Sequence, residues 1–219
     1  MRDTLKGVIG MSGEARVFHL RTPLSDEEIE KLRVGDIIYV TGIMVTARDE
    51  AHKKILEILD KGEKLPIDLR GLVLYHCGPV VRKKPDGTWE VVAAGPTTSM
   101  RMESVEAEFI AKTGVKVIVG KGGMGRRTAE AMKKYKAVYA VFTGGAGALA
   151  ASRIKRVVDV YWLEELGIPE AVWVFEVEEF GPLVVTIDSH GNNYYEKHME
   201  EVKKRAEEIK KELLSKIKH

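Results

Sequence analysis

Apolar runs of strand length alternate with stretches of helical period through the middle of this chain, and that alternation specifies an α/β layer with at least partly parallel strands. Val115–Val119 and Ala137–Phe142 read as strands on either side of a helix at Arg127–Tyr135, and Glu103–Thr113 reads as the helix before them. Upstream, Ala15–Arg21 alternates as a half-buried strand does, and Asp36–Met44 is β-branched and aromatic. Ala51, Ile55, Ile58 and Leu59 then stripe a helix over Arg48–Lys61, which Gly62 ends. Leu72–Cys77 and Trp89–Ala94 read as strands of one hairpin-like unit, turned by Lys83-Lys84-Pro85-Asp86-Gly87. Val157–Tyr161, Ala171–Val177 and Leu183–Ile187 are three further strands, and Trp89, Trp162 and Trp173 are core candidates. From Asn193 to the end runs one long amphipathic helix, residues 193–219. Its apolar face is Met199, Val202, Ala206, Ile209, Leu213 and Ile217, with i,i+4 pairs Glu200–Lys204, Glu201–Arg205, Glu207–Lys211 and Glu212–Lys216 outside it. Docking of that face on its own domain is the reading adopted, with a subunit contact as the alternative.

Composition bounds the rest. With 219 residues and no internal repeat, the chain reads as a single domain spanning 1–219. Lys+Arg 35 against Asp+Glu 33 leaves a formal charge of +2, too balanced for a dedicated nucleic-acid binder. One cysteine, Cys77, excludes an internal disulfide and any site needing several thiolates from this chain, and the absence of C-x-x-C or H-E-x-x-H argues against a self-contained zinc site. His76 and Cys77, adjacent on a strand, point to opposite faces and do not share a ligand. The start, MRDTLKGVIG, lacks the apolar region of a signal peptide. The longest uncharged stretch, Ala137–Ser152, is glycine-rich and shorter than the roughly 20 apolar residues of a membrane span. A cytoplasmic protein without membrane contact is expected.

Chemistry concentrates at three strand-to-helix junctions: Thr46-Ala47-Arg48-Asp49, Gly95-Pro96-Thr97-Thr98-Ser99-Met100-Arg101 and Gly120-Lys121-Gly122-Gly123-Met124-Gly125. Ligands of α/β sheets bind at that end, where helix N-termini favour anions. Each junction adds a cation, Arg48, Arg101 or Lys121, so the set predicts a small, multiply charged anion such as a dicarboxylate or phosphate ester. Singly, each cation reads as solvated, each glycine as backbone geometry and each threonine as an N-cap; the coincidence of three carries the functional reading. Residues 120–125 also match G-x-G-x-x-G, but no carboxylate stands at Phe142-Thr143-Gly144 to bind a ribose, and Lys121 is followed by Gly122 where a P-loop needs Ser or Thr. Asp188-Ser189-His190 has triad residue types without triad spacing, so Asp188–Asn193 reads as a turn and helix cap.

In TARDxAHK (Thr46–Lys53), LYHCGPV (Leu74–Val80), AAGPTTSMRM (Ala93–Met102), VGKGGMG (Val119–Gly125) and Thr143-Gly144-Gly145-Ala146, the chain resembles the β subunits of two-subunit class I fumarases and L(+)-tartrate dehydratases, from about residue 15 to 198. The resemblance implies a swivelling β/β/α domain with a mixed sheet flanked by helices. It implies reversible hydration of fumarate to L-malate, or loss of water from tartrate, in an iron–sulfur hydro-lyase. The 4Fe-4S cluster would be ligated by a partner α subunit carrying three cysteines, consistent with the single Cys77 here. A homodimer or heterotetramer is expected. By motif position Arg48, Arg101 and Lys121 would bind the substrate carboxylates with Thr98 and Gly122 beside them. Thr97 would be the catalytic base, Thr98 and Ser99 backup hydroxyls, and His52, Asp49 and Ser99 a supporting layer. A stand-alone anion-binding module is the alternative of another class.

Overall fold

The computed structural model describes residues 15–217, with side chains to residue 214, so the readings of the first ten residues and of the Lys216 and Ile217 side chains lie outside the described residues. In chain order the elements are β1 (Val17–Arg21), α1 (Asp26–Glu30), β2 (Ile37–Thr46), α2 (Asp49–Asp60), β3 (Val73–Tyr75), β4 (Val80–Lys83) and β5 (Trp89–Ala93). A 3-10 turn at Ser99–Met102 leads into α3 (Glu103–Thr113), followed by β6 (Val117–Gly120), α4 (Arg126–Tyr135) and β7 (Val138–Val141). The rest is α5 (Gly147–Ser152), β8 (Ile154–Tyr161), α6 (Leu163–Leu166), β9 (Val172–Ile187) and α7 (Tyr194–Ile217).

Strands β1, β2, β3, β6 and β7 lie side by side and parallel. β9 runs antiparallel to them, pairing with β7 and β8 and also with β2, so that the sheet closes on itself. Period-2 alternation then sorts the side chains into two cores. Val73, Tyr75, Val117, Val119, Val138 and Ala140 face inward with Trp173 and Phe175. Leu74, Ile118 and Tyr139, each between two inward residues, face outward against Ile55 of α2, Phe109 and Ile110 of α3 and Met132 of α4. The mixed α/β reading holds, and all three of those helices cover one face of the sheet.

Several local readings change. Residues 72–94 are not one hairpin: β3 is a central parallel strand, and the hairpin is β4–β5, a separate two-stranded sheet. Val172–Ile187 form a single strand, because register shifts near Glu179–Pro182 absorb the proline at a bulge while pairing with β2 continues. The short α1 lies between the two strands read upstream and was not expected, although Ser25 and Glu28 form a capping box there. Only Trp173 of the three tryptophans is fully buried, with Trp89 edge-on against it at 5.3 Å. Asp188–Asn193 is the turn and cap expected: Asn193 Oδ1 accepts from the backbone N–H groups of Tyr195 and Glu196 at the start of α7.

The apolar face of α7 is not docked on the domain. Met199, Val202, Ile209, Leu213 and Leu214 are 44–60% exposed. Ion pairs along this helix include Arg205–Glu208, Glu207–Lys210 and His198–Glu201, each spaced three residues apart. No helix among the described residues is long and apolar enough to cross a membrane.

Candidate active site

Four of the five family-like segments fall at one end of the parallel strands. Thr46 ends β2, His76 follows β3, Gly120 ends β6, and the Thr143–Ala146 stretch follows β7. Because β2, β3, β6 and β7 are neighbours in that order, the segments lie side by side. The segment 96–99 is laid across them. Thr97 N–H donates to His76 O at 2.6 Å, Lys121 N–H to Thr97 O at 3.2 Å, and Ser99 N–H to Lys121 O at 3.1 Å. Thr97 is therefore pinned by its backbone on both sides, half-buried, and its hydroxyl has no hydrogen-bond partner among the described residues. Thr98 is exposed beside it. Ser99 is buried, with its hydroxyl engaged by His76 Nδ1 at 2.8 Å and Tyr139 Oη at 2.9 Å. Gly122 is exposed with φ +74, and its carbonyl accepts from Tyr139 Oη at 3.1 Å.

The three cations are held differently. Arg101 donates through Nε to Asp49 Oδ1 (3.1 Å) and through Nη2 to Asp49 Oδ2 (2.6 Å). That uses one edge of the guanidinium and leaves the Nη1–Nη2 edge for a second carboxylate. Arg48 is mostly buried, with Nε 3.3 Å from Glu170 Oε1. Its side chain passes over Gly78, where a Cβ would sit 2.7 Å from Nη1. Lys121 is exposed and has no ion-pair partner among the described residues; its Cδ lies against Gly144.

Two of the three helix N-termini at these junctions, those of α2 and α4, already hold a carboxylate, contrary to the expectation from sequence. Glu50 N–H on α2 donates to Glu170 Oε2 at 3.0 Å. On α4, Gly125 N–H donates to Glu103 Oε2 at 2.7 Å, and the Thr128 hydroxyl does so at 2.7 Å. Glu103 thus occupies the place a phosphate would take in a dinucleotide loop, and the glycine pattern answers to packing. A Cβ at Gly120, Gly123 or Gly125 would meet Ser99, Tyr195 or Glu103 within 1.9, 2.6 and 2.6 Å. What remains for a ligand is the side-chain cations.

Beneath the loops lies a cluster that sequence reasoning missed. His52, His76 and Glu106 have no exposure, and one donor atom from each lies within 4.8 Å of the others. Glu106 Oε2 is 3.0 Å from His76 Nε2 and 3.5 Å from His52 Nε2, yet neither imidazole Nε2 nor either carboxylate oxygen makes a hydrogen bond. Among the described residues, this is the donor set whose atoms lie close enough together to hold a divalent cation. Burial alone would raise the Glu106 carboxyl, but the two imidazoles outweigh it and hold it down to about 2. Burial pushes the His76 imidazole down; for His52, burial is outweighed by Glu106 and the shift is upward. A signal existed: Glu106 stands on the buried face of α3 with Phe109 and Ile110, and His52 on that of α2 with Ile55 and Leu56, where charge is otherwise absent.

A model of the fumarase C-terminus family matches residues 4–198. The chain belongs to that family. The β subunit of L(+)-tartrate dehydratase from Escherichia coli K12 is 51% identical over 174 residues, covering 80% of this chain and 84% of that protein. A putative β subunit of the same enzyme from Methanocaldococcus jannaschii is 50% identical over 186 residues, covering 85% of this chain and 95% of that protein. A putative class I fumarate hydratase from Geobacillus stearothermophilus is 44% identical over 183 residues, covering 84% of this chain and 34% of that longer protein. All five motif segments fall inside the fumarase C-terminus match, and α7 beyond His198 falls outside it. The residues present do not fit a four-iron, four-sulfur cluster. Cys77 is the one cysteine, fully buried, and burial pushes its thiol up to about 12.

Proposed function

We propose that this chain is the β subunit of a cytoplasmic iron–sulfur hydro-lyase that adds water to, and removes it from, a four-carbon dicarboxylate. What supports the reading is that Arg48 follows β2 and Lys121 follows β6 at the same end of the parallel strands, with the segment carrying Thr97 and Arg101 bonded between His76 and Lys121, in a chain of the fumarase C-terminus family. Fumarate and L-malate are the first substrate pair; tartrate is the second, favoured by the name of the relatives at 50–51% identity. Because this chain has no thiolate set, the cluster belongs to an α subunit, and the two assemble as a heteromer.

The chain's own part is binding, orientation and proton transfer. The free edge of Arg101 takes one substrate carboxylate in two parallel hydrogen bonds while Asp49 keeps the guanidinium in plane. Arg48 and Lys121 hold the other carboxylate, with Thr98 and Gly122 at the rim. These contacts fix the substrate carbon against the Thr97 hydroxyl, which moves the proton. A threonine hydroxyl is a weak base unaided, and the surrounding cations favour its charged form. The domain acts as a swivelling β/β/α cap, closing this face over the partner's site and excluding water.

The test is anaerobic purification through a tag on this chain. A cysteine-bearing second subunit, iron, and hydration activity on fumarate or tartrate that the chain alone lacks are the expected results. A chain that arrives alone, iron-free, and binds dicarboxylates tightly by itself would instead be a stand-alone anion-binding module.

A further inference from the structure

Glu106 carries a fully enclosed carboxylate between two fully enclosed imidazoles, and nothing in the reaction above uses it. Building on that proposed activity, we infer that Glu106 is a positioning residue whose carboxylate holds the rings of His52 and His76, and through them the backbone that presents Arg48, Thr97 and Lys121.

Proton accounting supports a charged but balanced cluster. Arg48 O can only accept, so His52 Nδ1, 2.8 Å away, carries a hydrogen and donates. Its Nε2 faces the carboxylate, so the doubly protonated ring is accommodated at both ends. His76 Nδ1 faces the Ser99 hydroxyl, which can donate to it, so a neutral ring with its hydrogen on Nε2 serves there. One carboxylate and one imidazolium leave the cluster neutral. A divalent cation in the same place would leave a buried charge of about +1 beneath Arg48, Arg101 and Lys121, the costlier arrangement. The other titratable groups facing the cluster are Asp49, which favours charge on both imidazoles, and Tyr139, held neutral by burial.

From this cluster a bond runs to every junction. His52 reaches Arg48 O; His76 O accepts from Thr97 N–H; His76 Nδ1 meets Ser99, whose N–H donates to Lys121 O; Tyr139, bonded to Ser99, also reaches Gly122 O. Gly120 leaves the room this requires, since a Cβ there would stand 1.9 Å from Ser99 Oγ. Misplacing these segments by a fraction of an ångström to 1 Å is enough to cost about a hundredfold in rate.

In the assembled two-subunit enzyme, Glu106→Gln is expected to lower kcat/KM by about a hundredfold, mostly in kcat, with subunit content unchanged. The double variant E106L/H76F removes both partners together, so melting temperature recovers while kcat does not. Recovery of kcat together with stability would overturn the proposal, because the cluster would then be packing alone. On the wild-type full chain at a pH equal to the ordinary histidine value of 6.5, nitrogen spectra of the imidazoles are expected to show His52 mainly as imidazolium, as its upward shift requires. A neutral His52 there, or one divalent metal retained per chain and lost in Glu106→Gln, overturns the assignment. A wild-type assembly inactive on both fumarate and tartrate would instead remove the functional reading, while the spectra still decide whether Glu106 holds the rings.

Discussion

Arg101 meets Asp49 through a planar fork, and a lysine at that position would keep the charge while losing both the tie to Asp49 and the second edge. Arg101→Lys should leave the melting temperature unchanged, since the guanidinium is half exposed, and lower kcat/KM of the assembled enzyme about a hundredfold or more. Near-normal activity would take Arg101 out of the site. Gly120→Ala tests the layer below: its Cβ would press on Ser99 Oγ, and urea unfolding should register a loss of roughly 1–3 kcal/mol. An unchanged midpoint would mean that Ser99 turns away freely. That Arg48 and Lys121 sit at strand ends, and that Thr97 and Arg101 lie on a loop leading into a helix, was legible because glycine and hydroxyl neighbours mark these junctions in sequence. Glu106 and His76 were not, because a single polar residue in an apolar stripe acquires meaning only when its partners, 24 to 54 positions away, are known to face it.

At the scale of elements, α4 is capped from another helix. Glu103, the first residue of α3, accepts from Gly125 N–H and the Thr128 hydroxyl. Glu103→Ala should therefore cost about 1–2 kcal/mol in chemical unfolding, through the lost cap and the loss of negative charge at a helix N-terminus. An unaffected midpoint would show that water replaces the carboxylate without penalty. The G-x-G-x-x-G spacing was plain in sequence, but its occupant was not: motif spacing reports where backbone N–H groups are exposed, and only the packing of α3 on α4 shows what already satisfies them. β9 teaches the same point. Gly181-Pro182 breaks the local strand pattern, and pairing with β2 on both sides of it overrides the break.

Across the whole molecule, the buried cluster gives stability an acid limb. The Glu106 carboxyl lies at about 2 in the folded protein against an ordinary 4.5, so the unfolded chain takes up its proton first. The contribution is complete above about 4.5 and is lost as pH falls toward 2; Glu106→Gln should flatten that part of a pH series of urea midpoints. His52 works in the opposite sense. Its folded value is raised, so its contribution is present below the ordinary 6.5 and fades as pH rises through the higher folded value. An acid limb of the same depth in wild type and variant would mean that other carboxylates dominate it.

Sequence by itself determined the α/β class, the positions of most strands and helices, the three basic junctions and the lack of a thiolate set, because each follows from local periodicity, turn chemistry or a residue count. Tertiary structure decided the rest. It closed the sheet through β2–β9, filled two helix N-termini with Glu103 and Glu170, left the apolar face of α7 in solvent, and brought Glu106 between His52 and His76. Each of these depends on pairings between residues far apart in the chain, and no local pattern specifies which distant group will meet a given donor, strand edge or apolar face.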